Sequence, residues 1–206
     1  MEIAMFSPDS PLKRLPPNSN RKLLICLDSF CHSAQICELA YGRLYRQLTK
    51  LALTKETQLH PWVIPEAFMH AWAIVDELHR LDGLLKATPG LVVTLPPGEP
   101  SFTEQIESIT LMRNVVDHLN RTVDLVVASK LPALGKLNWI TVADSGSDRY
   151  VCGVLVPGTV TYDSKGGYKP VRPRTEIGPS DHITLSVGKH SASLTDAMGH
   201  CRRSYG

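Results

Sequence analysis

Residues Ile109–Val126, ITLMRNVVDHLNRTVDLV, decide how the middle of this chain folds. At about 100° per residue, Ile109, Met112, Val115, Val116, Leu119, Val123 and Val126 fall within roughly a third of a helical circumference. Arg113, Asp117, Thr110, Arg121, Asn114 and His118 take a separate arc, in that angular order. The stretch is therefore a helix with one core face and one polar face. Asn114 and His118 stand one turn apart as an i,i+4 pair, and the long stem of Arg113 lets its guanidinium bend toward them. An always-charged guanidinium holds a phosphate, and an imidazole with a near-neutral pKa moves a proton. Arg113, Asn114 and His118 are accordingly the candidate site. The competing reading is a solvated helix face on which Arg113 pairs with Asp117 and His118 merely packs.

The segments before this helix read as two more. Ser101 followed by Glu104 makes a capping box, so the helix is predicted over 101–128, about 40 Å long. Ahead of it, Leu91–Pro100 is a proline-rich connection, and Pro89–Gly90 stops a helix predicted over 66–88. In that helix Phe68, Ala71, Val75, Leu78 and Leu85 face one way, with Asp76 and Arg80 on the polar side and Pro65 suited to the first turn. A longer helix is predicted over 21–53, its core stripe traced by Cys26, Phe30, Ala34, Cys37, Tyr41, Leu44, Leu48 and Leu51. Ile25, Ile36 and Leu39 form a second apolar stripe, suited to a neighbour from another subunit.

After Pro132 the pattern changes to short β-branched or aromatic runs separated by Gly, Pro, Asp and Ser. Strands are expected at Leu137–Val142, Tyr150–Val156, Thr159–Tyr162 and Ile183–Val187, with turns at Ser145–Asp148 and Pro157–Gly158. Ser191–Leu194 adds a last strand paired through Gly188–Lys189. Leu137, Trp139 and Thr141 alternate with Asn138 and Ile140, so Trp139 is expected to face inward and join the sheet to the helices. The fold class is α+β: a mainly helical bundle with a small C-terminal antiparallel sheet. Residues 1–20 read as a flexible lead-in, 21–131 as the bundle, and 132–206 as a β-rich extension packed on it, its last residues fraying.

Composition narrows the function classes. The chain has 206 residues, 43% of them hydrophobic, and a formal net charge of +2. That balance suits a globular protein and gives no bulk electrostatic drive toward nucleic acid, so any RNA contact must be local. A basic loop of Lys165, Lys169, Arg172 and Arg174 around Gly166–Gly167 is one place for such a contact, although a solvated loop is the plainer account. Cys26, Cys31, Cys37, Cys152 and Cys201 form no metal-binding spacing and read as small core residues of a reducing compartment. Gly188–Lys189 lacks the upstream glycine of a phosphate loop, no nucleophile elbow occurs, and His70 and His79 are too far apart along a helix to share a metal. No metal or other cofactor is expected. With no leader pattern and no apolar run near spanning length, the expected location is cytoplasmic, away from membranes.

The placed motifs resemble those of the HEPN superfamily, small antiparallel helical bundles carrying an Arg-x4–6-His motif. Arg113–Asn114 and His118 match its shortest spacing. The order of Asp76 and Arg80, Pro89–Gly90, Arg113–Leu119 and Gly135–Trp139 is similar to a group of uncharacterised bacterial HEPN-like proteins, over about residues 20–160. The resemblance implies a metal-independent endoribonuclease, a toxin or defence effector acting on RNA, with a cognate antitoxin as partner. In such enzymes two protomers join their motifs across a homodimer cleft. Arg113 would then hold the scissile phosphate, His118 would serve as general base or acid while the substrate 2′-hydroxyl attacks, and Asn114 would orient the imidazole or touch the phosphate. The same resemblance implies, as its alternative, a non-catalytic module that binds nucleotide, RNA or a protein partner, with the sheet as docking surface. Asp117, between Arg113 and Arg121 on the wheel, is the residue that would blunt the positive potential a phosphate needs.

Overall fold

The structure, a computed structural model, describes residues 20–53, 60–88, 100–118, 134–142, 150–157 and 182–205, with isolated positions at 18, 98, 124 and 132. The expected lead-in, the strand at 159–162, the turn at 145–148 and the basic loop at 165–174 lie outside the described residues, as does most of 119–131.

Helix α1 runs Arg21–Leu53 and α2 runs Val63–Ala87. They pack lengthwise, because the stripe from Phe30 through Cys37 and Leu44 to Leu51 meets Phe68, Ala71, Ile74, Val75, Leu78 and Leu81, all buried. Each Phe, Leu, Ile or Val among them contributes roughly 1.5–3 kcal/mol when fully buried, so the pair is the stem of the fold. Helix α1 is also long and apolar enough, by length and composition, to cross a membrane, a test that core helices pass as well. Pro65 sits in the first turn of α2, where a missing N–H is tolerated. At the other end, Thr88 caps α2 by donating from its hydroxyl to the Leu84 carbonyl at 2.7 Å.

Of the stretch expected as one helix over 101–128, the described part, 101–118, is broken at Ile106. A four-residue turn, α3 (Phe102–Gln105), is opened by the capping box: the Ser101 hydroxyl accepts from the Glu104 N–H at 3.3 Å, and the Glu104 carboxylate accepts from the Ser101 N–H at 2.6 Å. Buried Ile106 then leaves helical geometry (φ −104°, ψ 11°), and α4 resumes at Glu107 and ends at Asp117. The Asp82 carboxylate accepts from the Thr103 hydroxyl at 2.5 Å and ties α3 to α2.

Strands β1 (Lys136–Val142), β2 (Tyr150–Leu155), β3 (His182–Val187) and β4 (His190–Ser193) form an antiparallel sheet in the order β2-β1-β3-β4. The register opposes Leu137 to Leu155 and Leu185, and Trp139 to Gly153 and Ile183. One face therefore carries Leu137, Trp139, Thr141, Leu155, Ile183, Leu185 and Val187 inward, as the alternation predicted. The β3–β4 connection is the expected two-residue turn, with Gly188 at φ 56°, a region that favours glycine.

In place of the expected fraying, residues 194–205 are helical. Leu194–Tyr205 forms helix α5, started by Ser193, whose hydroxyl accepts the Asp196 N–H at 3.0 Å. Leu194, Ala197, Met198 and Cys201 are buried against the sheet and α1. The Thr195 hydroxyl accepts both the Tyr41 hydroxyl of α1 at 3.0 Å and the Ile183 N–H of β3 at 2.9 Å. Arg202 lies over the Tyr41 ring and grips Glu38 with two bonds of 2.7 and 2.8 Å. Helices and sheet share one hydrophobic core.

Candidate functional site

Helix α4 lies beside α2, β3 and β4 through buried Ile109 and Met112, and this seat fixes where each polar residue points. Thr110 meets α2 at His79, with 3.4 Å between its hydroxyl and the imidazole Nδ1. Arg113, one turn further, faces the same helix. Its Nε donates to Asp76 Oδ1 at 3.1 Å, and its Nη1 reaches Asp117 Oδ2 at 2.7 Å. Asp76 and Arg80, the i,i+4 neighbours of the sequence, do not pair with each other. Arg80 turns to Glu77, whose carboxylate is buried, at 2.8 Å.

The guanidinium is thus the centre of a triad with two carboxylates. Its side chain is 31% exposed, Asp76 is 48% and Asp117 is 41%, so the triad opens to solvent along one edge. Among the described residues, two carboxylates against one cation leave that edge acidic by one charge. Asp117 is the last residue of α4.

Asn114 and His118 lie further round α4 and are exposed. His118 caps the helix with φ −106° and ψ 24°, its N–H donating to the Asn114 carbonyl at 3.2 Å. The three expected residues therefore keep to one short helix end, but Arg113 is turned onto α2 while Asn114 and His118 look outward. Asp76, 37 positions from Arg113, is the member that sequence reading missed. Its signal was its place on the polar side of a helix predicted to be a neighbour. The second stripe of α1 is exposed at Ile25, Ile36 and Leu39. That helix packs on α2, β1, β2 and α5, so the stripe belongs to a different neighbourhood from α4.

No family model matches the chain, and neither does any curated protein or solved structure.

Proposed function

We propose that this chain is a non-catalytic HEPN-like module of the cytoplasm that binds a protein partner, with Arg113 serving to lock α4 to α2. The observation that carries this reading is the guanidinium held between Asp76 and Asp117. Near a protein surface, unit charges about 4 Å apart interact by about 4 kcal/mol before salt screening. A phosphate at that distance from all three groups would gain that much from Arg113 and lose about twice as much to the carboxylates. Five free cysteines agree with a reducing compartment.

The test is an RNA cleavage assay with chelator present, comparing wild type with Arg113→Ala and His118→Ala. No cleavage product ending in a 2′,3′-cyclic phosphate is expected above background. Cleavage that both substitutions abolish would overturn the reading. The endoribonuclease alternative draws support from Asn114 and His118, both exposed at the end of α4. On that alternative the chain is a homodimeric toxin or defence enzyme held by an antitoxin, and Arg113 leaves Asp76 to meet the scissile phosphate. Asp76→Asn should then raise the cleavage rate, an effect the binding module lacks.

A further inference from the structure

The outward face of α2 is apolar at one end and acidic at the other. Trp62 precedes the helix with helical angles (φ −81°, ψ −11°), so the helical count extends to it. On that count Trp62, Met69, Ala73 and Asp76 share one stripe. Trp62 is 70% exposed and Met69 59%, unusual for side chains of that size. Leu134, whose carbonyl accepts the indole N–H of Trp72 on α2 at 3.2 Å, is a further exposed apolar side chain. Glu66 stands between Trp62 and Met69 on the same face, also exposed. At the far end, the carboxylates of Asp76, Asp117 and buried Glu77 outnumber the guanidiniums of Arg113 and Arg80, the latter on the same stripe one turn beyond Asp76 and bonded to Glu77. From Trp62 to Asp76 the helix rises about 21 Å.

We infer that this stripe of α2 is a docking surface for a helix of a partner protein, one carrying two apolar anchors about two turns apart and a lysine or arginine about two turns further on. The inference rests on the reading of the chain as a binding module and gives that module its partner chemistry. Exposed Trp and Met are what buried interface centres are enriched in, and tryptophan is a frequent anchor of binding energy. A helix laid along a helix buries such anchors at this repeat. The charges select the partner's sign. Glu66 and Asp76 lie on the stripe and Asp117 beside it, within a chain whose formal net charge is +2, so acidity is a property of this face and not of the whole protein. A basic side chain over the Asp76–Asp117 edge would balance the surplus carboxylate. A phosphate backbone laid on the same stripe would meet that surplus with its own negative charge.

The experiment selects a displayed library of 18-residue helical peptides on the full-length protein and measures binding of the enriched peptides by fluorescence anisotropy. Enriched peptides are expected to carry the apolar pair with a Lys or Arg beyond it. Trp62→Ala and Met69→Glu should each weaken them at least tenfold with the circular dichroism spectrum unchanged, and added salt should weaken them as well. Failure to enrich any peptide, enrichment of acidic peptides, or binding that survives both substitutions overturns the inference. So does self-association of the wild-type chain that Met69→Glu abolishes, which would assign the face to a second copy. RNA cleavage is silent on all these outcomes, so the docking surface and the non-catalytic reading fail separately.

Discussion

At the scale of single residues, close approach and burial decide most of what happens. Trp139 is buried as its strand pattern required, but the alternation carries no information about what lies beneath the ring. That is Gly153 on β2: a Cβ there would come within 2.1 Å of Trp139 Cζ2. Gly153→Ala should therefore force the indole off its seat and destabilise the protein by about 1–3 kcal/mol, measured as a lower urea midpoint with reduced near-ultraviolet dichroism. His70 offers a second measurement. It is buried on α2, and desolvation lowers its pKa from 6.5, with Glu66 opposing and Arg43 assisting. The unfolded chain thus binds this proton more readily than the folded one. The contribution from neutral His70 is full above about pH 6.5 and is lost as the pH falls from there through the folded pKa. The urea midpoint should drop between pH 7 and 5, and His70→Gln should flatten that drop. An unchanged slope in the variant would place the acid sensitivity elsewhere.

At the scale of elements, legibility follows the length and purity of the pattern. The stripes of α1 and α2 repeat over many turns, and their ends fall within three residues of those expected from the sequence. The capping box of α3 was legible because two side chains three apart report on their own backbone. The break at buried Ile106 was not, since it keeps the apolar period and depends on packing with neighbours. Helix α5 was missed for the opposite reason. Leu194, Ala197, Met198 and Cys201 do repeat at helical spacing, but Gly199 interrupts a short, polar terminal segment that would be marginal alone. Tertiary contacts hold it. Met198→Ala should accordingly cost about 2–5 kcal/mol, well beyond what a fraying tail shows. Cys201 inside α5 carries the same message: burial pushes its thiol up to about 12. It should stay unreactive toward a thiol reagent at pH 8 until the protein is denatured. Modification of native Cys201 at the rate of a free thiol would mean that α5 detaches readily. The candidate site divides along the same line. Arg113, Asn114 and His118 share a helix and so were visible together, whereas Asp76 meets Arg113 only because α2 and α4 pack.

At the scale of the whole molecule, the division at residue 132 marks a change of pattern and not a boundary of stability. Leu137, Trp139, Leu155 and Ile183 of the sheet belong to the same buried cluster as Phe30, Leu44 and Leu78 of the long helices. Polar ties cross the same divide. Thr49 of α1 stands 3.5 Å, oxygen to oxygen, from Thr141 of β1, Tyr41 bonds Thr195, and Glu38 holds Arg202. Removing the sheet and α5 would expose the apolar side of α1 that they cover, at about 25 cal/mol for each Å² returned to water. Losses of that kind are large against the 5–15 kcal/mol by which domains are stable. The chain should therefore unfold in one cooperative step. Helix content by far-ultraviolet dichroism and Trp139 packing by near-ultraviolet dichroism should share one urea midpoint, and a fragment of residues 1–131 should not give a cooperative transition. Separate midpoints, or a cooperatively folding fragment, would show that the helices stand without the sheet. In that event the common core would add contact between two independent units without making either depend on the other.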